Sequence, residues 1–150
     1  MPSDALAMVE RLREAIDRHD LDAFVACFAP DYQSEQPAHP NRSFTGSAQV
    51  RQNWAAFFAA VPDLRAEVVR MTAEGETVWV EWRWHGNWRA ESPLDMRGVT
   101  LFGVREDQIV WGRLYMEGTE AAGADIDATM QDLTAPSRGT SGSATEREMC

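Results

Sequence analysis

The stretch Thr77–Trp88 reads TVWVEWRWHGNW, and its period decides the fold class. Val78, Val80, Trp82 and Trp84 alternate with Trp79, Glu81, Arg83 and His85. A period of two sends the first set to one face of a strand and the second to the other. The apolar set belongs inside, because burying the charged set without partners is far too costly. Toward the C-terminus the alternation resumes from Pro93 or Leu94 to about Val104. Arg105, Glu106 and Asp107 then read as a turn and Gln108–Glu117 as a last strand. Toward the N-terminus, Leu64–Thr72 reads as a strand and Ala73–Glu76 as its turn. The spacing therefore predicts four strands in hairpin connection.

Upstream of Pro62 the period is 3.6. Ser3 is placed to cap a helix to about Arg18, with Leu6, Val9, Leu12 and Ile16 on one side. His19 reads as a solvated helix-end residue. Asp20 caps a second short helix that Pro30 ends, and Asp31–Gln36 fits a short strand. Pro37–Gly46 reads as a loop, and Ser47 caps a third helix to about Ala60 with Val50, Trp54, Phe57 and Phe58 on one side. Asp125–Leu133 fits a terminal helix. Ala135–Cys150 is rich in Ser, Thr and Gly and reads as a disordered tail. Runs of helix followed by runs of strand predict an α+β domain with an antiparallel sheet over residues 1–134, and a tail over 135–150.

Composition narrows the function classes. A net charge of −10 repels phosphate backbones and anionic lipid, so neither nucleic acid nor membrane is an expected partner. The two cysteines, Cys27 and Cys150, make neither a disulfide framework nor a zinc spacing. The N-terminal stretch lacks the apolar run of a signal peptide, and Trp54–Val61, the longest apolar run, is too short to cross a bilayer. The cytoplasm is the expected location. No phosphate loop, nucleophile elbow or metal cluster is legible, so no cofactor and no metal are expected.

Several strings resemble SnoaL-like members of the nuclear transport factor 2-like superfamily. They are Asp20-Leu21-Asp22-Ala23-Phe24 through Phe28-Ala29-Pro30-Asp31, Gly46–Arg51, Val78–Trp82 with Gly86, and Arg97–Phe102 followed by Ile109–Glu117. Their order and spacing over roughly residues 5 to 120 carry the resemblance. It implies a cone-shaped, curved antiparallel sheet wrapped around the N-terminal helices and enclosing one pocket. The superfamily includes ketosteroid isomerases, polyketide cyclases, limonene-type epoxide hydrolases and binding domains, so the fold leaves function open.

The resemblance also shows what is missing. The isomerase general base falls at Gln36, which accepts no proton. The isomerase oxyanion Tyr and Asp fall near Leu12 and Thr100. The Arg-Asp pair of the epoxide hydrolases falls at Trp82 and Trp84, and the last-strand Asp of hydrolases and cyclases at Leu114. Every acid that carries over is replaced by an amide, a hydroxyl or an apolar group.

The candidate pocket lining, from alternation and the family's strand register, is Tyr32, Ser34, Gln36, Trp54, Trp82, Trp84, Met96, Thr100, Phe102, Leu114 and Met116. Trp54, Trp82 and Trp84 suit a flat, cyclic ligand as an aromatic box, and equally suit plain core packing. Gln36 can hold a ligand carbonyl or satisfy nearby backbone. His39, in the loop near the expected mouth, is a candidate general base or an exposed loop histidine. Glu117, with His85 or Tyr115, forms an acid–base constellation if the long strand and the last strand lie side by side. Otherwise Arg113, Tyr115, Glu117, Glu81, Arg83 and His85 make a charge ladder on the outer face or at a homodimer interface. Gly86 and Gly118 are the places where a bulge would turn His85 and Glu117 inward.

Two functions lead, ahead of a purely dimeric interaction module that uses the charged sheet face. One is an enzyme acting on a hydrophobic cyclic or polyketide-like molecule by isomerisation, cyclisation or epoxide opening, with Gln36, His39, Glu117 and His85 as catalytic candidates. The other is a non-catalytic small-molecule-binding or accessory dimeric domain of the same fold.

Overall fold

The computed structural model describes residues 4–89 and 92–136. The expected Ser3 cap, and the expected tail beyond residue 136, lie outside the described residues. The chain runs α1 (Asp4–Arg18), α2 (Leu21–Ala26), β1 (Phe28–Glu35), a 3-10 turn (Pro40–Arg42), β2 (Phe44–Thr45), α3 (Ser47–Ala60), β3 (Arg65–Glu74), β4 (Thr77–Asn87), β5 (Pro93–Arg105), β6 (Gln108–Gly118) and α4 (Ile126–Thr134). This is an α+β fold around one six-stranded sheet of order β2-β1-β6-β5-β4-β3.

The hairpins set the register, and the register sets the faces. Glu106 and Asp107 take positive φ of 52° and 60°, the two-residue turn whose twist matches its flanking strands. β4 pairs β5 without interruption from Thr77↔Gly103 to Asn87↔Pro93, and β5 pairs β6 regularly from Met96↔Gly118 to Gly103↔Trp111. No bulge stands at Gly86 or Gly118, so the alternation is not broken where it would have turned His85 and Glu117 inward. The irregularities fall elsewhere, between Val68 and Arg70 and between Gly103 and Val104.

Val78, Val80, Trp82 and Trp84 of β4 are buried, with Leu94, Met96, Thr100 and Phe102 of β5 and Met116 of β6. α1 lies against β3, β4 and β5 and buries Ala5, Met8, Val9, Leu12, Ala15 and Ile16. α3 adds Val50, Trp54 and Phe57. At Gly98 the sheet folds so tightly that a Cβ would overlap the Tyr115 carbonyl oxygen and lie 2.8 Å from Met116 Cα.

Four expectations need correction. Pro30 does not end a helix; α2 stops at Ala26, and Pro30 lies inside β1. The β1–β6 pairing is irregular between Phe28 and Gln33, so no regular ladder bond is asked of the proline there. β1 runs parallel to β6, and the two-residue β2 pairs β1 at Gln33↔Thr45 and Ser34↔Phe44, within the stretch read as loop. Ser47 is the first helical residue of α3, and Gly46, at φ 106°, holds the cap position. His19 is not a solvated helix end: at φ 53° its Nε2 lies 3.0 Å from the Leu64 carbonyl oxygen, and its ring stacks on Phe58 at 4.7 Å.

Gly98→Ala is expected to cost about 1–3 kcal/mol, the usual size of an overpacking penalty. It would be read as a lower urea midpoint with an unchanged slope. An unmoved midpoint would mean that β5 and β6 separate freely at this bend.

Candidate functional site

Between α1, α2, α3 and the concave sheet face lies a cavity of about 30 Å³, room for about one water. Its lining comes from every layer of the fold: Leu12 and Ile16 of α1, Phe24 of α2, Phe28, Tyr32 and Ser34 of β1, Phe44 of β2, and Val50, Asn53 and Trp54 of α3. β4 supplies Trp82 and Trp84, β5 Thr100 and Phe102, and β6 Leu114. The ring of Trp84 meets Trp54 edge-on at 5.5 Å and lies tilted against Trp82 at 6.1 Å, and Trp54 packs tilted on Phe24 at 4.3 Å. Edge-to-face contacts of this kind add about 0.5–1.5 kcal/mol each beyond area burial. Tyr32 meets Phe28 edge-on at 4.8 Å, and its hydroxyl lies where a Cβ on residue 112 would be, so Gly112 makes room for it.

Two indoles in this wall differ in kind. Trp82 Nε1 donates to Thr100 Oγ1 at 2.8 Å, with both residues fully buried. Trp84 Nε1 is buried and has no hydrogen-bond partner. An unsatisfied buried donor costs about 1–3 kcal/mol, and Trp84, a residue of the cavity wall, carries one. Tyr32 is the only lining residue here with an ordinary titratable side chain.

A second, wider depression of about 760 Å³ shares Phe44 and Asn53 with the cavity. We call it the vestibule. Gln36, Asn41, Arg42 and Ser43 line one side, Gln49, Gln52, Ala56, Phe57 and Ala60 of α3 another, and Trp88 a third. Gln36 is buried, and its Oε1 accepts from Arg42 Nη1 at 3.2 Å.

Of the residues singled out from sequence, Tyr32, Ser34, Trp54, Trp82, Trp84, Thr100, Phe102 and Leu114 come together around the cavity. Gln36 lies in the vestibule instead. Met96 and Met116 are buried in the core without lining either space. His39, Glu117 and His85 line neither. The β4–β6 acid–base constellation does not form, because β5 stands between the two strands. Arg83 is level with Arg97, and Arg97 with Glu117.

His85 lies 3.6 Å from Glu67 in an outer-face ladder, where Arg83 bonds Asp95 at 2.9 Å and Glu67 at 3.4 Å. The Arg83 guanidinium holds the Asp95 carboxyl below the usual carboxylate range. Glu117 meets a different partner, with its Oε1 2.7 Å from His39 Nε2. The parallel pairing brings them near: Glu35, the last residue of β1, pairs Arg113, and the turn that follows β1 carries His39 beside the end of β6.

Sequence reasoning missed the α1 and α2 contribution to the cavity, and missed Phe44, Asn53 and Arg42. The helical apolar positions were visible but read only as core. Phe44 sat in a segment taken for loop. No group of three or more His, Cys, Asp or Glu among the described residues is placed to hold a metal ion.

The SnoaL-like domain family matches residues 9–112. The chain belongs to that family. No curated protein matches it. Among solved structures, a candidate SnoaL-like polyketide cyclase from Jannaschia sp. CCS1 is similar at 23% identity, covering 89% of this chain and 94% of that one, with a TM-score of 0.65. A Mycobacterium tuberculosis epoxide hydrolase of limonene epoxide hydrolase-like type gives 18% identity, 76% and 83% coverage, and 0.66. A Catenulispora acidiphila protein of ketosteroid isomerase-like fold, solved with trimethylamine, gives 20%, 72% and 83%, and 0.61. At these identities the likeness is one of fold.

Thr100→Val keeps the shape of the wall and strands the Trp82 N–H. We expect a loss of about 1–3 kcal/mol in equilibrium unfolding with the fold retained. Equal stability would mean that the bond contributes nothing net.

Proposed function

We propose that this SnoaL-like domain binds a small hydrophobic cyclic molecule in the aromatic cavity, with Trp84 Nε1–H donating to its carbonyl, ether or hydroxyl oxygen. The observation that carries the reading is that buried, unpartnered donor in a wall otherwise made mostly of ring and aliphatic carbon. Ligand pockets are commonly apolar with a few placed polar groups. The void is small, so a ring must displace Phe44 or its neighbours on entering. Binding is favoured over acid–base turnover because no carboxylate or imidazole among the described residues lines the cavity or the vestibule.

A second reading keeps turnover of a polyketide-like substrate. What supports it is the His39–Glu117 pair at 2.7 Å, on the loop that carries Gln36 and Arg42 into the vestibule wall. A carboxylate-oriented imidazole is a suitable general base.

The assembly in this reading is a homodimer through the outer sheet face. Trp79 and Tyr115 are 49% and 41% exposed there, beside half-buried Val99 and Leu101. A cytoplasmic setting accords with the two-cysteine composition. No helix among the described residues is long and apolar enough to cross a membrane.

Thermal shift and calorimetry with a panel of monocyclic and bicyclic ketones and their parent hydrocarbons test the main reading. Ketones should stabilise the protein, and Trp84→Phe should weaken them about tenfold, the worth of one hydrogen bond, while leaving the hydrocarbons unchanged. Equal weakening of both series would remove the donor role, and silence from every ring compound would remove the cavity as a ligand site. If turnover of any bound ring is found, His39→Gln should slow it about 10²- to 10⁴-fold with affinity kept. In solution the mass should be twice that of the chain, and Trp79→Asp should halve it; a wild-type monomer overturns the dimer.

A further inference from the structure

The vestibule has a chemistry of its own. Five of its twelve lining residues are carboxamides: Gln36, Asn41, Gln49, Gln52 and Asn53. No carboxylate is among the lining, in a chain with 24 acidic residues. One guanidinium is present, and it donates to Gln36. The lining also holds an aromatic pair, Trp88 and Phe57, tilted together at 6.4 Å.

Each kind of ligand group asks for a different wall. An anion asks for donors alone and a cation for acceptors alone. A hydroxyl both donates and accepts, and so does a primary carboxamide. Adjacent hydroxyls on a ring match one amide through its N–H and its C=O together. The C–H face of such a ring packs on an indole. On α3, Gln49 Nε2 donates to Asn53 Oδ1 at 2.7 Å, which fixes the amide of Asn53 at the wall common to both chambers.

We propose that the vestibule is a subsite for a neutral, hydroxyl-rich ring, so that the ligand is a glycoside whose apolar aglycone occupies the inner cavity. The assignment of the aglycone rests on the reading given under Proposed function; the polar subsite stands on the amide wall. The volume of about 760 Å³ lies within the roughly 300–1,000 Å³ usual for small-molecule sites. Asn41 and Gln52, both exposed, are the residues that reach the outer hydroxyls.

The test is calorimetry of the full chain with phenol, with phenyl β-glycosides of glucose, galactose, mannose and xylose, and with the matching methyl glycosides. At least one phenyl glycoside should bind ten-fold or more tighter than phenol. The double variant Asn41→Leu, Gln52→Leu should remove that advantage and leave phenol binding unchanged; both positions are exposed, and an unaltered melting temperature would show the fold intact. If phenol binds and no glycoside binds tighter, the subsite is overturned and the cavity reading stands. If a methyl glycoside binds as tightly as its phenyl counterpart and phenol does not bind, the subsite stands and the aglycone assignment falls. Binding of none of the three kinds overturns both.

Discussion

The antiparallel ladder from β4 through β5 to β6, uninterrupted between β4 and β5 and regular from Met96 to Gly103 against β6, is the constraint on which the rest depends. It couples the side-chain period of two to a buried concave face over eleven residues of β4. A slip of one residue would drive Glu81, Arg83 and His85 into the core and expose Val80, Trp82 and Trp84. The cost of burying those charges therefore fixes which groups can face a ligand. That is why the pocket side of this domain is aromatic and its outer side is a network of ion pairs. The ion pairs, mostly exposed, add little stability.

The same constraint explains what the sequence disclosed. The alternation in β4 was legible because both faces were chemically distinct, and the residues it sent inward came together in space around the cavity or in the core beside it. Gln36, Met96 and Met116 show the limit. Alternation gives a face, and whether a position on that face meets a void or a neighbouring side chain depends on where the helices lie. The parallel β1–β6 pairing was illegible for another reason. The two segments are separated by some eighty residues, and nothing local in either records its partner. With that pairing unseen, the His39–Glu117 contact had no route to being foreseen. Phe44 and Thr45 form too short a strand for any period to show.

The position of the isomerase base is instructive in physical terms. Gln36 is buried at the edge of the vestibule and held by Arg42, so it is an ordered hydrogen-bonding group and not a proton acceptor. Thr100, at the matching oxyanion position, has its hydroxyl oxygen engaged by Trp82. Of the three positions that the resemblance matches to isomerase groups, Gln36 and Thr100 are polar and Leu12 is apolar, and none carries an ionisable side chain. What the chain keeps is shape, an aromatic wall and directed hydrogen bonds.

Trp82 and Trp84 have a consequence beyond recognition. Two residues apart on one strand and 6.1 Å between ring centroids, they place one saturated indole N–H beside one unsaturated one. In a nitrogen-edited spectrum the first resonates as an indole bonded to a hydroxyl and the second as one without an acceptor. A ligand bound as proposed would give the second an acceptor, so the fold carries a two-channel reporter for that proposal in the difference between neighbours.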